Sequence, residues 1–360
     1  MKNEDLSKHL RRLSRAAEIE GRGRLRFAGR PVPVPHPAAP SKGNLPRGPE
    51  TPEPAVAESA LPEDWRDTVE ALQMELYQHG YCRPFDGRRR PEPPSAAPDP
   101  SFLQALEQAN SGTDRVESDW IVRSVEPSGR LLAEKNGKVR SLQPGEYSTT
   151  GWGAPPPGSP VEVRLKKGSL DLQPGFYVVF SDALASPQDG ALGALRLYFN
   201  VRASGAPALV RAVTEHLNRF QVPFSFKTLT PESYYESRSD AAVLFLHRRF
   251  FAIAAHLALD LEARLNGELE APVPLFTRAV APGVGLAEDP GSGDSFGLSR
   301  CRLLSEGLCL AQRRGETSIG SRLAVVEERF ADAGICLENP HLNPRSVDRY
   351  ELPATEGGPS

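Results

Sequence analysis

Between Ala194 and Arg202 apolar and polar residues alternate almost without a break. Leu195, Leu197, Phe199 and Val201 fall on one side of the chain, and Arg196, Tyr198, Asn200 and Arg202 on the other. That is the period-two pattern of a strand with one buried face. VPFSFKT repeats it, with Phe224 and Phe226 opposed to Ser225 and Lys227, and predicts a strand over 222–229. A third strand, at 241–246, leads into a helix ending near Leu265. The spacing then becomes three and four. Gly297, Cys301, Leu304, Leu308 and Ala311 make one stripe of a helix over 296–313. Asp294 or Ser295 supplies its N-cap, and a glycine-rich loop beginning at Gly283 precedes it. Further helices are predicted over 206–219 and 321–333, the latter ending at Gly334.

Upstream, from Asp119 to Ser181, short alternating runs are split by turn residues. Asn136-Gly137 is a two-residue hairpin signal, because both positions accept positive φ. This stretch reads as a small antiparallel β subdomain. Trp65, Val69, Leu72 and Leu76 form a helical stripe over 62–80 with Gly80 as its stop, and a second helix is predicted over 102–109. Residues 1–61 join a short basic segment to a Pro-rich one with too few large apolar side chains to offset the entropy of ordering. They are therefore expected to be disordered. The predicted fold class is α+β: a mixed or antiparallel sheet core with packed helices, a small antiparallel β subdomain and a disordered N-terminal segment. The expected boundaries are 1–61, 62–115 (helical), 116–185 (β subdomain), 186–350 (core) and 351–360 (flexible tail).

Composition narrows the function classes. A formal net charge of −3 over 360 residues, with a pI of about 6.2, gives no reason to expect nucleic acid or an anionic membrane as partner. The apolar run Phe250–Leu261 is short and interrupted by His256 and Asp260, so no membrane span is expected. Cys82, Cys301, Cys309 and Cys336 form no C-x-x-C pair, which points to reduced thiols in a cytoplasmic protein rather than to disulfides or zinc. The charged start of the chain does not read as a secretory signal. P-loop, dinucleotide, nucleophile-elbow and H-E-x-x-H patterns are missing from the sequence. No cofactor and no metal are expected.

Candidate chemistry lies on the polar sides of the strands. Arg196, Tyr198 and Asn200 place a guanidinium, a phenol and an amide in a row, where a solvated sheet face would be the plainer reading. Lys227 joins that surface if its strand neighbours 194–202. A lysine beside arginines and partly desolvated loses basicity from the usual 10.4 or so, which suits a general base. Arg238 and Asp240 at the entrance of AAVLFL are either a local ion pair or an anion-binding arginine with its orienting carboxylate. Arg300, one turn into the 296–313 helix, and Ser295 at its N-terminus complete a possible anion site. Asp289 reads as a turn residue that can also steer an arginine. His247, His256 and His341 are candidates for a general acid, with His256 expected inside an apolar helix.

The run VPLFTRAVAPGVGLAEDPGSGDSFGLSRCRLLSEGL, from Val273, resembles the C-terminal signature of the HopA-type type III effector family, which includes lyase subunits of class V lanthipeptide and thioamitide biosynthesis. Similar elements are Asn110 in QANSGTDR, Trp120 in SDWIV, PGFY at 174–177, Arg196-x-Tyr198-x-Asn200, Lys227 in PFSFKTL, Arg238 and Asp240 in SRSDAAVLFL, and Asn343-Pro344. The likeness spans roughly 100–350. One position departs from it: where the family often has a His before the arginine after SFG, this chain has Ser299.

The resemblance implies a phosphoserine/phosphothreonine lyase that leaves a dehydroamino acid. Arg196, Arg238 and Arg300 would bind phosphate, aided by Ser295. Lys227 would take the α-proton, with Tyr198 the alternative base. Tyr198 or Asn200 would polarise the carbonyl, and Asp240 would orient Arg238. The implied partners are a precursor peptide and a separate kinase that phosphorylates it. A non-catalytic phosphopeptide-binding or kinase-scaffolding subunit, or a secreted effector, are the alternatives.

Overall fold

The structure, a computed structural model, describes residues 3–35, 61–93, 97–135, 137–183, 193–265, 267–291 and 295–353. Its centre is a seven-stranded, wholly antiparallel sheet. The strands are β9 (Gly168–Ser169), β10 (Phe176–Phe180), β11 (Ala194–Phe199), β12 (Phe224–Leu229), β13 (Ala242–His247), β14 (Arg278–Ala281) and β15 (Val284–Glu288). Their order is β14-β15-β11-β13-β12-β10-β9. Leu195, Leu197, Phe199, Phe226, Leu244 and Leu286 all point to one face, as the period-two pattern dictates. There they meet α3 (Pro100–Ala109), α4 (Ala206–Arg219) and α5 (Phe251–Leu265) in a continuous apolar core.

The opposite face is covered over only part of its width. Tyr198, Val243 and Ala287 pack under α2 (Arg66–Leu76), α6 (Phe296–Arg313) and α7 (Ile319–Asp332) in a second core. Gly297 allows this approach, since a Cβ there would sit 2.4 Å from the Tyr81 ring. The stripe read from the sequence of α6 is buried throughout, and Ser295 is its N-cap, accepting the Leu298 N–H at 3.1 Å.

Several expectations need correcting. Residues 3–35 are folded: α1 (Asn3–Ala16) and a meander of β1 (Ala17–Gly21), β2 (Arg24–Phe27) and β3 (Arg30–Val32) add Leu6, Leu10, Leu13 and Phe27 to the second core. The basic residues that suggested a solvated tail are the exposed side of an amphipathic helix. Residues 36–60, the Pro-rich part of that prediction, lie outside the described residues, as does the expected flexible tail from 354 onward. The stripe at 66–76 does not stop at Gly80; a π-helical turn, Tyr77–Tyr81, carries it further.

The β subdomain exists as a five-stranded antiparallel sheet of β4 (Arg115–Val125), β5 (Leu131–Lys135), β6 (Lys138–Leu142), β7 (Tyr147–Ser148) and β8 (Pro160–Leu165). Its own small core is built around Trp120. Lys135 pairs with Lys138 across the anticipated two-residue hairpin. GFYVVF, grouped with this subdomain on alternation alone, belongs instead to the large sheet as β10. Within the loop beginning at Gly283, Val284–Glu288 is the buried strand β15, and Gly283 (φ +70°) makes its turn from β14. Among the described residues no helix is long and apolar enough to cross a membrane.

Candidate active site

Cross-strand register assembles the site. Lys227 on β12 and Tyr198 on β11 both lie opposite Val243 of β13. The two strands are therefore not neighbours, the condition on which the sequence placed Lys227 with Arg196 and Tyr198. One strand separates them, about 10 Å in all, but they share a face. In the adjacent row, Arg196 lies opposite Phe245. The Phe245 ring carries two cations, with Arg196 Cζ 5.3 Å and Lys227 Nζ 5.6 Å from its centroid. Lys227 also stands 4.6 Å from the centroid of Phe176, in the PGFY element, and donates to Gln173 Oε1 at 3.2 Å. It lies where the helical layer stops, so its side chain is only partly buried.

Two ion pairs flank this lysine. Arg238 grips Asp240 with Nε (2.9 Å) and Nη2 (2.8 Å), and Nη2 also reaches the Tyr77 hydroxyl at 3.0 Å. Asp240 is buried, so the Arg238–Asp240 pair is not the exposed ion pair that its sequence spacing allowed. Arg196 Nε donates to Asp289 Oδ2 at 2.7 Å. Lys227 has no carboxylate partner among the described residues. Burial, with Arg196 and Arg238 adding repulsion against the weaker pull of Asp240, lowers its pKa from the ordinary lysine value. Burial works against the charge on Arg238, but Asp240, Cys82 and Tyr77 together outweigh it and hold the pKa above the ordinary arginine value.

Other candidates are placed differently. Tyr198 is buried behind the row, against Tyr81 and Phe296. Burial pushes its pKa up to about 12 despite Arg196 beside it. Desolvation of the phenolate wins over the adjacent cation, which argues against Tyr198 as the alternative base. Asn200 lies past the end of β11 and spends its amide on the Pro272 carbonyl at 2.8 Å. Arg300 is buried over the Phe296 ring and donates to the carbonyls of Pro340 (2.8 Å) and Leu342 (2.8 Å). Burial lowers its pKa to about 10. These bonds make it a strut for the C-terminal segment, so the three arginines do not act as one clamp.

Among the histidines, His256 is exposed rather than in the core. His247 Nδ1 accepts the Arg249 N–H, and His341 faces Asp348 at 3.4 Å. Asn110 and Trp120 are structural: the first donates to Lys167 O and the Tyr177 hydroxyl, and the second fills the β subdomain. Sequence reading pointed to Phe176 only as part of PGFY, and it missed Tyr77, Gln173 and Phe245. Only Phe245 carried a signal, as an aromatic opposed in parity to Leu244 and Leu246. No cluster of His, Cys, Asp and Glu among the described residues has the shape of a metal site.

Fold and site together define an α+β protein whose central sheet presents a lysine between two carboxylate-held arginines, an arrangement suited to an anionic ligand. Residues 168–342, which contain this sheet and the start of its C-terminal strap, match the HopA1 effector protein family. Two solved structures, of effector proteins from Pseudomonas syringae pv. tomato strain DC3000 and pv. syringae strain 61, are similar at 16% identity each. Each comparison covers 78% of this chain and 95% of the other, with TM-scores of 0.42 and 0.41. No curated protein matches the chain.

Proposed function

We propose that this chain is a lyase that eliminates phosphate from phosphoserine or phosphothreonine of a ribosomally made precursor peptide, as in lanthipeptide and thioamitide maturation. The observation that supports this most is Lys227. It has no carboxylate partner among the described residues, shares the Phe245 ring with Arg196 and is disfavoured in its charged form by burial and by that arginine. A positioned base with lowered pKa, next to arginines that attract phosphate, is what β-elimination requires.

In this reading neutral Lys227 takes the α-proton and the C–H electron pair becomes the Cα=Cβ bond. The Cβ–O bond breaks, and phosphate leaves with that bond's electrons. Arg238, whose Nη1 has no partner among the described residues, and Arg196 hold the phosphate. Asp240 and Asp289 fix their guanidinium groups. The ammonium formed on Lys227 faces the charge developing on the carbonyl. Tyr198 is a positioning residue for Arg196. A separate kinase would supply the phosphopeptide in the cytoplasm. The family's description as effectors concerns delivery and is compatible with the same chemistry.

The test is to incubate the protein with a phosphoserine peptide and follow loss of phosphoric acid by mass spectrometry. A dehydroalanine product is expected. Tight binding with no product would instead favour a phosphopeptide-binding or kinase-scaffolding subunit.

A further inference from the structure

Arg83 follows the π turn that brings Tyr77 and Tyr81 to the site, and neither its sequence nor the family likeness drew attention to it. Its Nε is buried and without a hydrogen-bond partner, and among the described residues no carboxylate pairs with it. The segment is tied to the approach to β13, since the Cys82 carbonyl accepts from Ser239 Oγ at 2.8 Å. Arg83 and Arg238 therefore flank one contact, and burial, with Arg90 and more weakly Arg238 adding repulsion, lowers the pKa of Arg83. Beyond Arg238, at the end of the sheet where β11 finishes, Arg83 lines an open groove with Asn200, Arg202, Glu232, Ser237 and Glu270. The other cations of this groove are already satisfied: Arg202 by Glu270 at 3.0 Å and Arg90 by Asp86 at 3.0 Å. An arginine that lines the groove unpaired and partly desolvated leaves room for an anion to complete the arrangement.

We infer that Arg83 holds a second negative charge of the substrate peptide, a carboxylate or another phosphate close in sequence to the reacting phosphoresidue. The flanking peptide lies along the groove. The glutamates in the lining argue for a peptide of mixed charge rather than a polyanion, because Glu92, Glu232, Glu236 and Glu270 would repel a uniform run of negative groups. The inference rests on the lyase reading for the identity of the reacting phosphate, but it concerns binding and can be measured without turnover.

The probes are synthetic phosphoserine peptides carrying Asn, Asp or a second phosphoserine at successive flanking positions, titrated by fluorescence anisotropy. At one flanking position Asp or phosphoserine should bind about tenfold more tightly than Asn, and comparison of the two identifies which anion the position prefers. Arg83→Ala should abolish that preference while leaving the affinity of the Asn peptide unchanged, and Arg83→Lys should restore part of it. Thermal unfolding of both variants checks that they fold. Absence of any flanking preference in the parent protein overturns the inference, as does an Arg83→Ala variant that still discriminates or weakens all peptides equally. Should the preference and its loss be observed while no phosphate is ever eliminated, the lyase reading fails and the second anion position stands.

Discussion

Phe226 and Lys227 are adjacent in one strand and face two different environments. Phe226 is fully buried among Phe199, Leu197 and the helices of the first face. Lys227 emerges where the second helical layer ends, over Phe176 and Phe245. The first face is mainly apolar, and burial of that area supplies its stability. The second mixes a packed half with a charged half, and holding Arg196, Lys227 and Arg238 partly out of water opposes folding unless each cation gains a partner. Asp289 and Asp240 give two of them one. Lys227 is left with an amide, an unfavourable arrangement for stability and a useful one for proton transfer.

The comparison can be broken most severely by removing the N-terminal part of the second core. Deleting residues 1–60 exposes the contacts of Leu6, Leu10, Leu13, Ile19, Leu25 and Phe27, each worth about 1.5–3 kcal/mol. That sum rivals the whole stability of a typical domain, so circular dichroism should show loss of cooperative unfolding.

Next in size, Lys227→Ala should slow phosphate elimination by about 10²–10⁴-fold with the phosphopeptide Kd nearly unchanged and the unfolding midpoint held or raised. Parental turnover in this variant would remove Lys227 from the mechanism. Its neighbour should behave in reverse. Phe226→Ala should cost about 3–5 kcal/mol in denaturant unfolding, while protein that remains folded at low temperature keeps its rate constant.

Arg300→Ala separates strut from clamp. It strands the buried carbonyls of Pro340 and Leu342, for a loss of about 2–4 kcal/mol. Affinity for phosphopeptide should survive, and a large rise in Kd without destabilisation would return Arg300 to the anion site.

The smallest effect is on pH dependence. Because the folded pKa of Lys227 lies below its ordinary value, the elimination rate should climb with pH through that folded value and level off before free lysine would titrate. The unfolded chain binds this proton more tightly, so stability should also rise with pH between the folded pKa and 10.5. Lys227→Ala removes both slopes, which rate and unfolding measurements across that range would detect.

Much of the fold was legible because period is a local property. The alternation of 194–199, the stripe of α6 and the hairpin at 135–138 follow from neighbours a few residues apart. Where local signals misled, a distant partner decided. The basic α1 reads as a tail until its leucines find α7 and β1. The glycine-rich run at 283–288 reads as a loop until β11 pairs with it.

By itself, then, the sequence determined which residues share a face: Arg196 with Tyr198, Ser225 with Lys227, and the apolar side chains opposite them, since strand geometry leaves no other choice. Only the tertiary structure decided that β13 separates Lys227 from Tyr198, that Phe245 carries two cations, and that Arg300 turns to the C-terminal carbonyls instead of the site. Those outcomes depend on strand order and on competition for hydrogen-bond acceptors, both fixed by contacts between segments far apart in the chain.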